Sequence, residues 1–447
     1  MKSVHHDTLQ TRLPHDLPEF QGIFDTLRAF IETAPEHELI EINPKTLARR
    51  HKLNLMSTLK GLLHLTKAGI FDLTWTVRCP HCKGPTHRSG TLHELTEHSH
   101  CPLCTDDFDA GFDRNVALSF SVNPSVVTIA GLDEFEVALA IASFEFEPGM
   151  SVNLDPGEHH ELALTLTEGN YGVMRQGKGQ MINIPVARGE GDSSFQSAEL
   201  VFEDEGLMLR AVPLAPGRAT IVIANQGTEP MEFLIAKLVR PDWTDAALVT
   251  TLQEFRDLFS EEMLSPSESF SIRNLSFVFT DLKSSTEMYE RRGDSKAFYL
   301  VKEHFKIMEA VVRDFDGGIV KTIGDAVMAV FQSPEQALVA ARSMVERFEV
   351  YNAEHHTQNQ IVVKIGIHSG PCIAVTLNDR IDYFGTSVNI AARVQGLSDG
   401  RTVMVSDSVF REARPQDDAL WQWERFETSL KGLKDRYTVY KGALLGE

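Results

Sequence analysis

The sequence lacks long apolar runs, which excludes several classes of protein. A helix that crosses a membrane needs about 20 consecutive apolar residues. A short apolar segment such as VALAIASF at 137–144 is a buried strand or a short helix at most. The N-terminal residues MKSVHHDTLQTRLPHD also lack the apolar core of a secretion signal. We therefore expect a cytoplasmic protein that makes no contact with a membrane.

Positive charge is also scarce, with 43 lysines and arginines against 63 aspartates and glutamates and a formal net charge of −20. Binding of nucleic acid by the whole chain needs a basic surface, so this balance argues against it. One local exception lies between Lys45 and Lys67, where six basic residues and no acidic residue occur. Nucleic-acid binding by that segment therefore stays open.

Cysteine is rare, and four of the five cysteines form two CxxC pairs. CPHC at 79–82 and CPLC at 101–104 are separated by 18 residues. In a reducing compartment such pairs are typical of metal sites rather than disulfides. Two pairs close a tetrahedral thiolate shell around zinc with no open position. We predict a structural Zn²⁺ site formed by Cys79, Cys82, Cys101 and Cys104, and a buried structural thiol at Cys372.

The length of the chain, 447 residues, allows several domains, and its patterns predict a multidomain α+β protein. Residues 1–76 contain short amphipathic helices joined by a tight turn, with Asn43 as a helix cap, and resemble a winged helix. Such modules either bind DNA or pack against protein, and the sequence leaves both open. Residues 77–112, which hold the cysteine pairs, are expected to form a zinc-ribbon-like module.

Two further segments precede the C-terminal part of the chain. Residues 113–241 contain short alternating apolar runs with Pro, Gly and Asn breaks, which predicts an antiparallel β-sandwich or barrel. We find no catalytic pattern in that segment. Residues 242–271 have helix-spaced apolar residues followed by a turn-rich piece, and we interpret them as a helical linker. The linker either couples the N-terminal modules to the next strand or is a passive spacer.

Two aspartates 44 positions apart stand in distinctive local settings. Asp281 follows the apolar run of LSFVFTD and therefore ends a predicted strand. Asp325 lies at the tip of a hairpin predicted within GGIVKTIGDAVMAVF at 317–331. A strand end beside a hairpin tip brings the two carboxylates together, and carboxylate oxygens are preferred ligands of Mg²⁺.

A third segment, RIDYFGTSVNIAARV at 380–394, contains a predicted helix on which Asn389 and Arg393 share one face. Together with FTDLKSST and the hairpin, in this order, it resembles the catalytic domain of the class III nucleotidyl cyclases over roughly residues 272–445. The resemblance implies a palm-like, ferredoxin-like fold for this domain. The chain departs from the family pattern after GIHSG at 366–370, where PCIAVTLNDR stands in place of further glycines.

The resemblance also implies roles for the polar residues. Two Mg²⁺ or Mn²⁺ ions per site are expected on Asp281, Asp325 and the backbone carbonyl of Leu282. One ion activates the ribose 3′-hydroxyl for attack on the α-phosphorus, and the other eases the departure of pyrophosphate. Asn389 is expected to position the ribose, and Arg393 to neutralise the charge that grows on the α-phosphate.

Base choice depends on Lys321 and Asp382, which match the positions that read the purine edge in this family. An ammonium only donates and suits adenine N1, whereas a carboxylate accepts from the adenine 6-amino group, so ATP is the expected substrate. Lys431 resembles the lysine that binds the γ-phosphate, with the nearby Lys434 as an alternative. Backbone N–H groups are further expected to contact phosphate oxygens where a helix begins, at Lys283, Ser284, Ser285 and Thr286.

In this family the metal ligands come from one catalytic domain and the Asn–Arg pair from a second. One chain carries both sets, so the resemblance implies a homodimer with two equivalent sites. The implied function is an adenylate cyclase that makes 3′,5′-cyclic AMP and pyrophosphate under control of its N-terminal modules. Two alternatives stay open: a scaffold whose cyclase-like domain only senses nucleotide, and a nucleic-acid-binding regulator.

Overall fold

The chain forms two compact units. The computed structural model describes residues 2–80, 85–101, 106–129, 145–146, 150–175, 180–186, 197–203, 207–211, 214–239, 242–355, 360–415 and 419–445. Unit 1 consists of Met1–Thr8, Arg28–Ile42 and Pro124–Asp242. Unit 2 consists of Leu9–Leu27, Asn43–Asn123 and Trp243–Glu447.

The α-helices of the described residues lie mainly near the N-terminus and in the C-terminal half. They are α1 His6–Arg12, α2 Gln21–Thr33, α3 Pro44–His51, α4 Leu55–Lys67, α5 Ala246–Thr251, α6 Gln253–Leu258, α7 Ser285–Arg292, α8 Asp294–Asp314, α9 Pro334–Glu354, α10 Thr386–Gln395 and α11 Asp407–Ala413. Short 3₁₀ turns occur at Pro18–Phe20, Glu36–Leu39 and Leu92–Glu94. No helix within the described ranges has the length and apolarity that crossing a bilayer would require.

The strands occur throughout both units. They are β1 Lys2–Val4, β2 Phe71–Arg78, β3 Pro85–Ser89, β4 His98–His100, β5 Asp107–Asp109, β6 Val116–Val122, β7 Val127–Ile129, β8 Glu145–Phe146, β9 Met150–Leu154, β10 His159–Leu166, β11 Gly169–Arg175, β12 Gln180–Val186, β13 Ser197–Phe202, β14 Leu207–Ala211, β15 Gly217–Asn225, β16 Met231–Val239, β17 Thr244–Asp245, β18 Phe270–Leu282, β19 Gly318–Ile323, β20 Ala326–Phe331, β21 Val363–Leu377, β22 Arg380–Phe384, β23 Val403–Ser406, β24 Trp421–Ser429 and β25 Arg436–Leu444.

The main sheet of unit 2 runs in the order β19–β20–β18–β21–β23–β25–β24, and β22 pairs with the end of β21. Neighbouring strands are antiparallel except β21 and β23, which run parallel. One face of the sheet packs against α8, α9 and α11. The other face is covered by α10 through Ile390 and Val394. The C-terminal half therefore has the mixed α and β architecture predicted from the sequence.

Local sequence explains the elements that carry the site. All of Leu275–Thr280 is buried, as expected of a central strand in a covered sheet. The turn between β19 and β20 uses Gly324 at φ +65, a conformation that favours glycine. A β-carbon on Gly318 would lie 2.4 Å from the carbonyl oxygen of Thr251, so the approach of these two backbones requires glycine at this position. After the GIHSG motif, β21 and β22 form a regular hairpin despite the missing glycines.

The helices α3 and α4 are each capped by an asparagine. The Asn43 side chain accepts a hydrogen bond from the N–H of Lys45 at 3.0 Å, with Pro44 in the first helical turn, as predicted. Asn54 caps α4 in the same way through the N–H of Ser57 at 3.0 Å. A helix pair followed by a strand does not by itself identify a winged helix, so that interpretation stays a prediction.

A second sheet of unit 2 has the order β17–β6–β2–β3. β6 pairs with β2 along its whole length, and Trp75 and Phe120 on these strands are fully buried. The boundary that we expected at residue 113 assigned β6 to the central β domain. The structure instead places β6 in unit 2, because its ladder and its buried side chains belong to the sheet that β2 forms.

Unit 1 contains two facing sheets. One has the order β10–β15–β13–β14, and the other has the order β12–β11–β16–β8, with β9 also pairing with β16. Apolar side chains of both sheets form one core, in which the rings of Phe202 and Phe233 lie 4.3 Å apart. β13 and β15 run parallel, and the other pairs are antiparallel. This is the sandwich alternative of the prediction, and VALAIASF at 137–144 lies outside the described residues.

The segment predicted as one helical linker forms two helices, α5 and α6. Leu252 between them has extended backbone angles (φ −76, ψ 133), which interrupts the helix. Asp245 caps α5 through the N–H of Leu248 at 2.9 Å. Gln253 and Glu254 of α6 are only 7% and 4% exposed. A passive spacer would be solvent-exposed, so this part of the linker belongs to the core of unit 2.

Candidate functional site

Asp281 lies near the C-terminal end of the central strand β18, as the sequence predicts. It pairs across the sheet with Lys364 of β21 and is half-buried. Leu282, the last residue of the strand, is 5% exposed and packs into the core beneath α8 and α9. Because side chains alternate along a strand, Asp281 faces away from that core.

Asp325 lies in the turn between β19 and β20 and meets Asp281 there. Burial and the negative charge of Asp325 raise the pKa of Asp281, while Lys364 acts in the opposite direction. The two carboxyl groups are close enough for a hydrogen bond when one of them is protonated. The predicted strand end and hairpin tip therefore adjoin.

The donor set of this acidic pair fits a divalent cation. Oδ2 of Asp325 is buried and has no hydrogen-bond partner among the described residues. A buried carboxylate oxygen without a donor is costly, and a cation between two repelling carboxylates would compensate both. No group of three or more His, Cys, Asp and Glu side chains arranged for a metal occurs in the described part of the chain. The site thus offers two carboxylates and leaves coordination positions for substrate oxygens.

The segment after Asp281 opens α7 without a side-chain cap. Ser284 adopts a left-handed backbone conformation at φ 56, and the helix begins at Ser285. The N–H of Lys283 already donates to the carbonyl of Val362 at 2.8 Å, so that donor is not available to a phosphate. The predicted phosphate contact is therefore restricted to the residues that follow, Ser284, Ser285 and Thr286.

Lys321 and Asp382 form an ion pair although they are 61 positions apart in the sequence. The ammonium of Lys321 donates to Oδ2 of Asp382 at 2.5 Å. The other carboxylate oxygen accepts the N–H of Tyr383 at 2.8 Å. The Asp382 side chain is only 6% exposed, against 34% for Lys321. A buried acceptor and an accessible donor thus stand side by side at one place on the surface.

Asn389 and Arg393 lie on the exposed side of α10, whose buried side is formed by Ile390, Ala391 and Val394. α10 covers the face of the sheet opposite to α8 and α9. Within the described residues of this single chain, no recorded contact joins Asn389 or Arg393 to the acidic pair. Lys431 is exposed in the turn between β24 and β25, as is the nearby Lys434.

His304 on α8 is a buried residue near the site that the sequence did not reveal. It is fully buried, and neither ring nitrogen has a hydrogen-bond partner among the described residues. Burial lowers its pKa to about 4, although the charge of Asp325 acts in the opposite direction. A histidine among the apolar residues of an amphipathic helix carries no sequence signal of this position.

The predicted zinc ligands are only partly described. Cys79 is 0% exposed directly after β2, and Cys101 is 1% exposed directly after β4. Cys82 and Cys104 lie outside the described residues. The structural zinc site therefore stays a prediction. Cys372 is 6% exposed, and burial raises the pKa of its thiol to about 12, as expected for a structural cysteine.

Comparison with protein families divides the chain in two. Residues 268–441 match the family described as the adenylate and guanylate cyclase catalytic domain. Residues 19–237 match a family of unknown function, DUF5939. The second match assigns no activity to this part and gives no support to separate winged-helix and zinc-ribbon modules. Residues 268–441 are therefore similar in sequence to the catalytic domain of the first family.

Curated relatives match between a third and two fifths of the chain. The chain is 29% identical over 186 residues to the adenylate cyclase of Anabaena cylindrica, a match that spans 38% of this chain and 37% of the relative. It is 33% identical over 168 residues to the adenylate cyclase of Lachancea kluyveri, spanning 33% of this chain and 9% of the relative. Guanylate cyclase 32E of Drosophila melanogaster is 24% identical over 186 residues, a match that spans 39% of this chain and 16% of the relative. The chain thus spans well under half the length of these relatives.

Solved cyclase structures align with about two fifths of the chain. The adenylyl cyclase CyaB from P. aeruginosa is 21% identical, with 39% of this chain and 96% of that chain covered and a TM-score of 0.35. The guanylate cyclase domain of RhGC from Catenaria anguillulae, in complex with GTP, is 22% identical, with 39% and 98% covered and a TM-score of 0.34.

Proposed function

We propose that this protein is an adenylate cyclase that converts ATP to 3′,5′-cyclic AMP and pyrophosphate. The observation that carries the proposal is that the carboxyl groups of Asp281 and Asp325 lie next to each other. They do so within a segment whose sequence matches the cyclase family. The Lys321–Asp382 pair extends the proposal to the choice of base. The relatives include both adenylate and guanylate cyclases, so base choice has to come from this chain's own residues.

The acidic pair would hold two divalent cations, Mg²⁺ or Mn²⁺, together with the carbonyl of Leu282. When bound, such ions supply a more acidic ribose 3′-hydroxyl and neutralise charge on the phosphates. The protein's own part is to hold the two carboxylates at a strand end and a hairpin turn of one sheet. The N–H groups at the start of α7 would bind phosphate oxygens.

The adenine edge would be recognised by Lys321 and Asp382. In the absence of nucleotide the two side chains satisfy each other at 2.5 Å. Adenine offers an acceptor at N1 and a donor at its amino group, so it can replace the ion pair with one bond to each side chain. Guanine offers the opposite pattern and would leave both groups unpaired, which is costly at a largely buried carboxylate.

We further propose that the complete site forms between two copies of the chain. Asn389 and Arg393 are exposed on a face of the sheet from which no described contact reaches the acidic pair. A second copy related by two-fold symmetry would supply its Asn389 for the ribose and its Arg393 for the α-phosphate, with Lys431 at the γ-phosphate. The N-terminal half would regulate this activity, and Cys79, Cys82, Cys101 and Cys104 would hold a structural zinc.

The proposal is tested by incubating the purified chain with ATP and Mg²⁺ or Mn²⁺ and measuring cyclic AMP and pyrophosphate. The expected result is equal amounts of both products from ATP and little product from GTP. The matched control is Asp281→Asn, which keeps the shape of the side chain but removes a charged ligand. Cyclic AMP at wild-type rates from this variant, or none from the wild-type protein with either metal, would refute the proposal.

A further inference from the structure

The strand that carries Asp382, β22, contacts α5 and α6, the two helices of the predicted linker, which we call the connector. Nη1 of Arg256 donates to the carbonyl of Ile381 at 3.1 Å, and the guanidinium lies 5.5 Å from the centre of the Tyr383 ring. The hydroxyl of Thr250 is 3.1 Å from the hydroxyl of Tyr383. The residues on both sides of Asp382 are therefore attached to the connector.

The strand that carries Lys321 is attached to the same connector. The N–H of Gln253 donates to the carbonyl of Gly317 at 2.8 Å, and its side-chain oxygen accepts the N–H of Ile319 at 2.7 Å. The register of β19 against β20 shifts between Ile319 and Lys321, which marks a bulge. A bulge re-aims the side chain that follows it. Gln253 thus binds the backbone directly before the bulge, and the bulge sets the direction of the Lys321 side chain.

The sheet itself does not fix the distance between Lys321 and Asp382. Their strands, β19 and β22, share no hydrogen-bonded ladder in the described sheet, since β20, β18 and β21 separate them in its order. A long lysine side chain has many rotamers, so its position depends on how its strand is held. α6 makes a hydrogen bond to each strand through two side chains three residues apart, Gln253 and Arg256.

α6 is in turn held in place by buried charges. Nζ of Lys60 on α4 lies 3.2 Å from Glu254 and 2.7 Å from Asp316, and Lys60 and Glu254 are 8% and 4% exposed. Removing one member of such a group would leave a buried charge uncompensated, so the group fixes the position of α6. Gln253, next to Glu254, is itself 7% exposed. The connector is thus a firm support for both strands.

We infer that Gln253 and Arg256 are positioning residues that set the spacing of Lys321 and Asp382 and thereby the preference for adenine over guanine. This inference rests on the proposed function, because it concerns the base-reading pair of that same site. Neither residue would touch the nucleotide. Arg256 acts through the backbone of β22, and Gln253 acts through the backbone of β19.

The test compares steady-state kinetics of the full chain with ATP and GTP for Arg256→Ala, Arg256→Lys, Gln253→Ala and Gln253→Glu. The free energy of one hydrogen bond corresponds to about a 5–10-fold change in the affinity for the nucleotide. We expect KM for ATP to rise by about that factor, and the ratio of kcat/KM for ATP to that for GTP to fall similarly. Arg256→Lys and Gln253→Glu should recover part of the loss, because each keeps the donor or acceptor that contacts the strand.

A matched control is Arg347→Ala. Arg347 lies on α9, and its guanidinium is 2.5 Å from the carboxylate of Asp314 on α8, so the variant removes an ion pair that does not involve β22. It should leave the ATP to GTP ratio unchanged. A second comparison places Arg256→Ala in an Asp382→Asn background, where it should have no further effect on KM for ATP. Additive effects in that double variant would show that Arg256 does not act through Asp382 and would overturn the inference.

Equilibrium binding of ATP and GTP by calorimetry separates this inference from the proposed function. If the wild-type protein forms no cyclic nucleotide, the proposed function fails, and the binding preference of Arg256→Ala still tests the inference. A folded Arg256→Ala or Gln253→Ala protein that keeps the wild-type preference for ATP, in both kinetics and binding, would overturn it. An equal fall of kcat with ATP and GTP would do the same, because that pattern indicates a purely structural role.

Discussion

The carboxyl groups of Asp281 and Asp325 adjoin across a strand end and a hairpin turn, where burial and the negative charge of Asp325 raise the pKa of Asp281. In the absence of a cation, the two carboxylates repel each other. Burial adds to the effect, since both residues are only partly exposed. Without a cation, the folded protein is therefore less stable than it would be with one carboxylate at this place. The site is suited to binding a positive ion.

The first prediction concerns this repulsion. Asp325→Asn should nearly abolish turnover and yet raise the thermal midpoint of the cation-free protein by about 1–4 °C. Because the pKa of Asp281 is raised, the folded wild-type protein gains stability when Asp281 is protonated. It loses that stability as the pH rises from near 3.8 through the raised pKa. The variant should lose the part of this pH dependence that the charge of Asp325 causes, and it should lose the stabilisation by Mg²⁺. An unchanged or lower midpoint would contradict the repulsion between the carboxyl groups.

The second prediction tests the shared site. Asp281→Ala and Arg393→Ala should each be inactive, with a loss of about 10³–10⁵-fold for the arginine. When the two proteins are mixed and exchange subunits, activity should recover to about a quarter of the wild-type value, because half of the dimers then contain one whole site. A mixture of Asp281→Ala and Asp325→Ala is the control and should stay inactive. Without recovery in a demonstrated mixed dimer, the site would have to form within one chain.

The third prediction concerns the base. Changing Lys321 to Glu and Asp382 to Cys should lower kcat/KM for ATP by about 10–100-fold, because N1 and the amino group of adenine lose their partners. Use of GTP should rise relative to ATP. The measurement is the formation of cyclic AMP and cyclic GTP by each variant. Equal use of both nucleotides by the wild-type protein would show that the ion pair does not select the base.

The fourth prediction concerns the cysteine pairs. Metal analysis of the chain purified without chelator should find one zinc per chain, and Cys101→Ser should lose it and unfold locally. Cys372→Ser is the matched control, because this buried thiol lies far along the sequence from both pairs and should leave the zinc content unchanged. A disulfide among Cys79, Cys82, Cys101 and Cys104 would overturn the assignment.

Much of the candidate site could be predicted because its motifs are local. A strand that ends at an aspartate, a hairpin with Gly324 at its turn and a helix with one apolar side can each be recognised within about 15 residues. The structure contains β18, the β19–β20 hairpin and α10 at the predicted places. The departure after GIHSG did not disturb the following hairpin, in which Ile373 to Leu377 of β21 pair with β22 in a continuous register.

The contacts around the site could not be predicted because they join distant parts of the chain. Gln253 and Arg256 look like solvent-exposed positions of a linker helix in the sequence, yet their partners are backbone groups of β19 and β22. Periodicity identifies which side of a helix is apolar, but it does not identify the backbone that a polar side chain contacts. The same limit explains why His304 was missed and why β6 was assigned to the wrong unit.

The pairing of β6 with β17 has a consequence for the order of folding. Leu118 and Thr244 are partners in one ladder, and most of unit 1 lies between them in the sequence. The helices before residue 118 therefore leave the ribosome long before the strands and connector helices that complete their core. Closing such a long loop is slow and entropically costly, whereas the sandwich has its own core. During synthesis we expect the inserted sandwich to fold first and unit 2 to assemble only when its C-terminal sheet has emerged.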